Sequence, residues 1–270
     1  MTTTVVTGGT GKTGRRVVER LRARGVPLRA ATRSTGPRLD WADDTTWDAV
    51  LEDAGAVYLA YAPDAGLPGA AEVLGAFARR CAERGATRLV LLSGRGEQGA
   101  RRSEEAVAAS GVATVVVRSS FFAQGFSEDF LADGVRAGVI ALPAGEVAEP
   151  FVDADDVADV AVAALTGALA PGLHEVTGPA SWTFAQVADV LAGAAARPVR
   201  YEAVSAAAFA AGLVDAGVPG EEAAALAALF GEVLDGRNAA PTAGVLDALG
   251  RAPRGLSEVV REAAAAGAWG

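Results

Sequence analysis

Short, almost uninterrupted apolar runs alternate through the first 120 residues with longer segments in which apolar positions recur every three or four residues. The short runs predict β-strands over 3–6, 27–32, 56–60, 88–92 and 113–117. The longer segments predict helices over 15–21, 41–54, 69–84 and 103–110. A strand that is apolar along its whole length is typically buried on both faces. The alternation therefore predicts an α/β fold in which helices cover both sides of a parallel sheet.

From about Phe121 onwards the alternation is less regular, and glycine, proline and acidic residues are interleaved as far as 144–146. Helices are predicted again over 157–165, 183–194, 206–212 and 221–234. We expect this part to form a lobe over the carboxyl edge of the sheet, with a substrate in the crevice between the two. The predicted division is a sheet domain over 1–150, to which 151–180 partly return, and a mostly helical lobe over 181–270.

A glycine-rich stretch, Thr7–Gly14, connects the first predicted strand to the first predicted helix. Gly8 can turn the chain at positive φ, Gly11 lets the backbone approach a pyrophosphate, and Gly14 lets the helix lie close to the strand. Backbone N–H groups and the positive end of the helix dipole then face the phosphates. The placement of the stretch between strand and helix predicts a dinucleotide-binding site.

Two other interpretations of the same stretch stay open. A nucleoside-triphosphate loop also ends in Gly-Lys-Thr, which Gly11, Lys12 and Thr13 supply. Its first glycine would fall at position 6, which is Val6, so the spacing argues against it. The second alternative is a structural turn that binds no ligand.

The residue after the second predicted strand bears on the choice of cofactor. An NAD-preferring site usually carries an acid here for the ribose 2′-hydroxyl, whereas an arginine accommodates a 2′-phosphate. The residue is Arg33, which favours NADP. Arg15 is a second candidate for that phosphate, and an exposed surface arginine is the alternative for Arg33.

The composition excludes several classes of protein. A formal net charge of −9 and a pI near 4.8 argue against nonspecific binding to nucleic acid or to anionic membranes. No stretch reaches the roughly 18 apolar residues of a membrane span, and the first strand follows Met1 directly. We therefore expect a cytoplasmic protein. The single Cys81 excludes an internal disulfide and a cysteine-cluster metal site, and it is expected to be buried.

Lysine and histidine each occur once, as Lys12 and His174. A mechanism that needs a second lysine or a histidine cluster is therefore excluded. His174 lies in a predicted strand with no nucleophile near it in the sequence, so a structural role is expected.

Acidic and aromatic residues in the second half each allow two interpretations. Asp153, Asp155 and Asp156 precede an apolar helix, which favours helix capping over metal binding or acid–base chemistry. The aromatic and apolar set that is either a flat pocket or lobe core is Phe121, Phe122, Phe126, Phe130, Phe209, Leu213 and Phe230.

With these residues in view, the sequence resembles the NmrA-like family of atypical short-chain dehydrogenases/reductases along essentially its whole length. The matching segments are Thr7–Gly14, the Arg33 step, Leu91–Ser93, Glu104–Val107 through Gly111 to Arg118–Phe122, Asp153–Ala158, Glu175–Pro179 with the helix start at Thr183–Phe184, and Leu249–Arg254. The resemblance implies a Rossmann-type doubly wound parallel sheet with a small C-terminal α/β substrate lobe. It also implies NADPH or NADP+ as the cofactor of the 1–150 domain.

The resemblance assigns roles by position. It implies that the pyrophosphate is bound by Gly8, Thr10, Gly11, Lys12, Thr13 and Gly14, and the 2′-phosphate by Arg33. The residues implied to flank the path from adenosine to nicotinamide are Ala60, Tyr61, Ala62, Ser93 and Gly94. Those implied to lie near the nicotinamide are Ser119, Ser120 and Phe121. Phe122, Phe126 and Phe209 are the candidates for a substrate pocket.

One departure from the short-chain enzymes concerns the proton donor. Many of those enzymes use a tyrosine whose pKa is lowered by a lysine four residues later. Tyr58, Tyr61 and Tyr201 have no such lysine, because Lys12 lies in the phosphate loop. Hydride transfer then depends on positioning, which suits quinones and conjugated ketones because their reduced oxyanion is delocalised. Ser93 and Gln124 are the candidates to bond the carbonyl.

The expected function is an NADPH-dependent reductase of a hydrophobic ketone, enone or quinone, such as an aromatic polyketide-type intermediate of natural-product biosynthesis. The alternative is a non-catalytic NADP(H) redox sensor that binds a protein partner. A lobe that fills the space over the nicotinamide would favour the sensor. An epimerase is the weakest option, because no convincing acid–base pair appears in the sequence. We expect a monomer or homodimer with no nucleic-acid or membrane partner.

Overall fold

The structure is a computed structural model that describes residues 2–34 and 36–270, apart from the side chain of Phe130. The strands of its main sheet are β1 (Thr3–Thr7), β2 (Leu28–Ala31), β3 (Ala54–Leu59), β4 (Arg88–Gly94), β5 (Ala113–Ser119) and β8 (Gly172–Val176). They pair in the order β2-β1-β3-β4-β5-β8, and every pair is parallel. The predicted Rossmann-type sheet is confirmed.

The helices on the two faces of this sheet are α1 (Lys12–Ala23), α2 (Trp47–Val50), α3 (Ala70–Glu83), α4 (Gln98–Ala108), α7 (Ala154–Leu165) and α11 (Gly244–Leu249). Successive strand residues face opposite sides, so Val5 packs with α2 and α3 while Val6 packs with α1 and α7. Both side chains are fully buried. This explains the near-continuous apolar runs in the sequence.

The helix predicted within 41–54 is short, as expected, and begins only after a 3₁₀ turn. Asp43 caps a 3₁₀ turn over Asp44–Thr46 by accepting a hydrogen bond from the Thr45 N–H at 3.1 Å, and α2 follows only from Trp47. Asp53 then takes a positive φ of 55°, directly before β3 begins at Ala54. A local side-chain bond and a left-handed residue therefore break the helical pattern at both ends.

The lobe contains the remaining elements: α5 (Gly125–Glu128), α6 (Phe130–Ala137), β6 (Val139–Leu142), β7 (Ala148–Glu149), β9 (Trp182–Thr183), α8 (Phe184–Ala195), β10 (Arg200–Ala203), α9 (Ala206–Asp215), α10 (Gly220–Val233) and α12 (Leu256–Ala265). Two small sheets join β6 to β10 and β7 to β9. The core of the lobe includes Phe126, Ile140 and Phe151 as well as Phe184 and Val260. Part of the segment assigned from the sequence to 1–150 thus packs with the lobe.

The order of strands places a switch point between β1 and β3, because the chain leaves β1 for β2 on one side and returns to β3 on the other. In open α/β sheets, ligands bind outside the carboxyl ends of the strands at this point. Within the described ranges, none of the helices is both long and apolar enough to cross a bilayer.

Candidate cofactor site and acceptor pocket

The glycine turn lies at the switch point, directly after β1. Gly8 has a φ of +62°, and the Gly11 N–H donates to the Gly8 carbonyl at 2.8 Å. A Cβ on Gly14 would lie 2.1 Å from the same oxygen, so α1 can approach the turn only with glycine there. The sequence spacing of Gly8, Gly11 and Gly14 therefore corresponds to one compact turn.

A buried hydrogen-bond chain holds this turn on the sheet. The Thr7 hydroxyl donates to the Tyr58 carbonyl at 3.0 Å and accepts from the Ala60 N–H at 2.9 Å. The Tyr58 hydroxyl donates to the Thr13 hydroxyl at 3.0 Å, and burial raises the pKa of Tyr58. These bonds join β1, β3 and the first turn of α1. Tyr58 therefore remains protonated and structural.

The first turn of α1 is suited to an anion. Gly11 is its N-cap, no side chain caps it in the described part of the chain, and its first turn carries no acid. The uncapped N–H groups of a helix start attract phosphate. Arg33 follows β2 and is exposed. These residues fit the diphosphate and 2′-phosphate of NADP.

The basic side chains of α1 contact acids of the lobe. Lys12 Nζ lies 2.8 Å from Asp129 Oδ2, and Arg15 Nη2 lies 2.7 Å from Glu128 Oε2. Arg16 also pairs with Glu128, at 2.7 Å. Two of the residues that the sequence suggested for phosphate binding, Lys12 and Arg15, are thus held by carboxylates.

A cavity of about 250 Å³ lies at the carboxyl ends of β4 and β5, under the lobe. The residues of its lining that the sequence had selected are Lys12, Tyr61, Ser93, Gly94, Ser119, Ser120, Phe121, Phe122 and Phe230. Asp64, Glu97 and Glu149 also line it. The structure therefore brings the expected nicotinamide surroundings, aromatic rings and carboxyl groups together in one pocket.

The aromatic set divides between pocket and core. The Phe121 ring meets the Phe230 ring edge-on at 5.8 Å, and Lys12 Nζ lies 5.6 Å from the centre of the Phe122 ring. Phe126 and Phe209 instead pack in the core of the lobe, where both are buried. The side chain of Phe130 lies outside the described residues.

The hydroxyl of Ser93 is engaged in a buried network. It donates to Glu104 Oε1 at 2.5 Å, Glu104 pairs with Arg118 at 2.5 Å, and Arg118 pairs with Glu175 at 2.9 Å. Glu104 thus binds Arg118 of the neighbouring strand β5. With its proton directed at Glu104, the Ser93 hydroxyl presents no free donor to a substrate in this arrangement.

Gln124 and the acidic cluster have structural contacts. Gln124 Nε2 donates to Asp153 Oδ1 at 2.7 Å, and Gln124 Oε1 accepts from the Ala154 N–H at 2.8 Å. Asp153 is the N-cap of α7, as the sequence predicted, and accepts from the Asp155 N–H at 2.9 Å. Among residues 2–34 and 36–270, no group of acids, histidines or cysteines is arranged to hold a metal ion.

The sequence did not identify the pocket carboxyls. Glu97 is 9% exposed and Glu149 is 2% exposed, and each has one buried carboxyl oxygen without a hydrogen-bond partner in the described structure. Burial, with the negative charge of Asp64 nearby, raises the pKa of Glu97 to about 9. Burial raises the pKa of Glu149 to about 7, although the positive charge of Arg95 opposes this. Both groups therefore bind protons more tightly than ordinary glutamates.

The sequence signal that could have identified Asp64 and Glu97 is their position after predicted strands. Asp64 follows β3 and Glu97 follows β4, and ligands bind at the carboxyl ends of such strands. Glu149 lies in the irregular region, which carries no comparable signal.

A glycine turn at the switch point of a parallel sheet, next to a pocket over the carboxyl ends of its strands, defines a dinucleotide-binding Rossmann protein. No protein-family model matches the chain. Agroclavine dehydrogenase of Claviceps fusiformis is 30% identical over an alignment of 285 positions, which spans 96% of each chain. Prestalk A differentiation protein A of Dictyostelium discoideum is 29% identical, over 96% of this chain and 91% of that protein.

Solved structures show the same fold. Triphenylmethane reductase of Citrobacter sp. in complex with NADP(H) has a TM-score of 0.77 at 18% identity, over 97% of this chain and 100% of that one. The NADPH complex of the Escherichia coli quinone oxidoreductase QOR2 has a TM-score of 0.78 at 21% identity, over 96% and 99%. NmrA, a negative transcriptional regulator in complex with NAD, has a TM-score of 0.72 at 15% identity, over 97% and 94%. The chain belongs to the NmrA-like family of atypical short-chain dehydrogenases/reductases, and it is an oxidoreductase of that type.

Proposed function

We propose that the protein is an NADPH-dependent reductase that passes hydride directly to a hydrophobic ketone, enone or quinone. The observation that supports this most strongly is the cavity at the ends of β4 and β5, because the lobe covers this space without filling it. A redox sensor needs no room for an acceptor beside the cofactor. The open pocket therefore favours the reductase.

The lining of the pocket supports the acceptor class. Phe121, Phe122 and Phe230 contribute aromatic surface, and Leu92 and Leu229 add aliphatic surface. Flat conjugated molecules pack well on such rings. The relatives named as a clavine dehydrogenase, a dye reductase and a quinone oxidoreductase are in keeping with bulky conjugated acceptors.

When bound, NADPH supplies the hydride. The chain holds its phosphates at the turn Gly8–Gly14, where the uncapped first turn of α1 is positive, and Arg33 selects the 2′-phosphate. The pocket then holds the acceptor at the ends of β4 and β5 and excludes bulk water. Positioning of this kind supplies a large part of the rate enhancement in hydride transfer.

The test is oxidation of NADPH, followed by its absorbance, against a panel of quinones and polycyclic ketones. We expect turnover with several of them, and weaker binding of NADPH but not of NADH in Arg33→Ala. Because a 2′-phosphate contact is a charge-assisted bond, the loss should be about tenfold or more. Arg200→Ala is the matched control, since Arg200 is exposed on β10 of the lobe and pairs with Glu202.

Two results would contradict parts of this proposal. Tight NADPH binding without oxidation by any acceptor would favour the redox sensor. Equal affinity for NADH and NADPH in the unmodified protein would show that Arg33 does not read the 2′-phosphate.

A further inference from the structure

The reduction of a ketone consumes a proton as well as a hydride, and the side chains chosen from the sequence do not supply one. The Ser93 hydroxyl is directed at Glu104, and Gln124 bonds Asp153 and Ala154. Tyr61 lines the pocket, but burial raises the pKa of its phenol above the ordinary value, which makes it a weaker acid. The remaining acids of the lining are Asp64, Glu97, Asp129 and Glu149, of which Asp129 pairs with Lys12.

We propose that Glu97 is the proton donor of the pocket, holding a proton beside the Asp64 carboxylate and giving it to the oxygen of the bound ketone. This rests on the proposed reductase function. The balance is complete: NADPH provides the hydride to the carbonyl carbon, the carbonyl π electrons move to oxygen, and that oxygen takes the proton of Glu97. Water at the pocket mouth then reprotonates the Glu97 carboxylate.

The first geometric argument is the contact of Glu97 with the end of β4. A Cβ on Gly94 would lie 1.8 Å from Glu97 Oε1, so the carboxyl fills the space that a side chain at 94 would need. Gly94 lines the pocket and is one of the residues expected to flank the path from adenosine to nicotinamide. It pairs across the sheet with Ser119, one of the residues expected near the nicotinamide. The acid thus lies next to the expected place of hydride transfer.

The second argument is the pairing with Asp64. A Cβ on Gly66 would lie 2.4 Å from Glu97 Oε2 and 3.2 Å from Asp64 Oδ1, so the two oxygens are no more than 5.6 Å apart. Glu97 Oε2 has no hydrogen-bond partner among the described residues and is inaccessible to solvent. Two carboxylates this close in a buried site cannot both be ionised easily, so one retains a proton.

The third argument concerns which acid retains it. Burial raises the pKa of Asp64 as well, but Asp64 accepts the Gly66 N–H at 2.7 Å, a bond that favours its ionised form. For Glu97, burial and the negative charges of Asp64, Glu232 and Glu104 raise the pKa to about 9, although Arg95 also lines the pocket. Glu97 therefore carries the proton at neutral pH, as a donor must.

The route from Glu97 to the acceptor needs one side-chain rotation. Oε2 is the carboxyl oxygen next to Gly66 and Asp64, whereas Oε1 is the one closer to the Gly94 position. The terminal torsion of a glutamate is soft and nearly two-fold, so a half-turn exchanges the two oxygens. Asp64 is then a positioning residue, which holds the proton on Glu97 between turnovers.

The test compares Glu97→Gln with the unmodified protein on two acceptors: an aryl ketone, which needs a proton, and a triarylmethyl cation, which becomes neutral on accepting hydride. We expect kcat for the ketone to fall about 100-fold or more, because general acids contribute this much, while kcat for the cation stays within about twofold. Glu105→Gln, at an exposed position on α4, is the matched control and should change neither rate.

Asp64→Asn provides a second variant with a pH readout. Ketone reduction by the unmodified protein should fall as the pH rises through about 9, where Glu97 loses its proton. In Asp64→Asn this fall should move to lower pH, because one cause of the raised pKa is gone. A merely structural role of Asp64 would lower the rate without moving the profile.

A readout independent of activity is the infrared difference spectrum. At pH 8, where Glu149 has largely lost its proton, the carbonyl band of a protonated carboxylic acid should still be present. It should disappear above about pH 9 and should be absent at pH 8 in Glu97→Gln. Absence of the band from the unmodified protein would overturn the proposal.

The rate outcomes separate the two proposals. Equal loss on both acceptors in Glu97→Gln, no loss on either, or a selective ketone loss in Glu149→Gln or Tyr61→Phe instead would each refute Glu97 as donor while leaving the reductase intact. NADPH binding without reduction of either acceptor by the unmodified protein would refute the reductase, and the donor role with it.

Discussion

Replacing Gly14 by alanine tests whether the close approach of α1 to the glycine turn is what builds the cofactor site. In an ordinary helix position this substitution stabilises the protein by up to about 1 kcal/mol, because alanine has less freedom to lose on folding. At Gly14 the added Cβ would meet the Gly8 carbonyl oxygen at 2.1 Å. The helix and the turn must therefore separate.

The magnitude follows from that distance. Carbon–oxygen contacts of a Cβ essentially never fall below 3.0 Å, so the backbone must open by about 1 Å. Forced expansion of a packed site costs about 1–3 kcal/mol, and the helix gain of about 1 kcal/mol offsets part of it. We expect a net loss of up to about 2 kcal/mol, which for a chain of this size lowers Tm by up to about 8 °C. Displacing the phosphate-facing turn by this amount should weaken NADPH binding at least about tenfold.

Thermal unfolding and calorimetric NADPH titration measure the two effects. The matched control is Gly193→Ala, since Gly193 lies in α8 and a Cβ there would have nothing within 4 Å. That variant should be at least as stable as the unmodified protein and should bind NADPH equally well.

The reasoning fails if Gly14→Ala keeps its Tm and its NADPH affinity. In that case α1 can shift without disturbing the site, and the steric role assigned to Gly14 is wrong. A loss of stability with unchanged NADPH binding would separate the two roles: the glycine would serve packing, and the phosphates would bind elsewhere.

Three further predictions concern charge. Asp129→Asn should strengthen NADPH binding about two- to fivefold at low salt, because it releases Lys12 from an exposed ion pair. A weaker affinity for NADPH, or a gain in affinity that persists in high salt, would contradict this. Glu149→Gln should gain stability relative to the unmodified protein as the pH rises from about 5 to 8, by up to about 3 kcal/mol in denaturant unfolding. The reason is that Glu149 keeps its proton up to about pH 7 in the folded protein but only up to about pH 4.5 in the unfolded chain; a pH-independent difference would refute this. Glu104→Gln should cost about 2–4 kcal/mol in the same assay, because it leaves buried Arg118 with one acid fewer, and a loss below about 1 kcal/mol would show that Glu175 compensates.

The sheet was predictable because its signals are local. Strands β1 to β5 are short apolar runs, and the glycines at 8, 11 and 14 specify a turn by spacing alone. The pairing of β8 beside β5 was not predictable in this way. It joins segments more than 50 residues apart, and periodicity carries no information on such partners.

The pocket was predictable only in part. Ser93, Ser119 and Phe121 follow from their place at the ends of strands, which the fold brings together. Phe126 and Phe209 pack in the core of the lobe, and the sequence could not show this because tertiary packing decides whether an aromatic side chain on a helix faces core or pocket. The Glu97–Asp64 pair depends on two loops meeting at Gly66, which no pattern along the chain records.

The path of the chain between sheet and lobe limits how this protein can change. After β5 the chain runs into the lobe, returns for α7 and β8, leaves again for α8 to α10, returns for α11 and ends in the lobe with α12. No single cut releases the lobe, so a protease nick in one connection should leave the fragments associated. New acceptor specificities are accordingly easier to reach by substituting pocket side chains than by exchanging the lobe between relatives as a cassette.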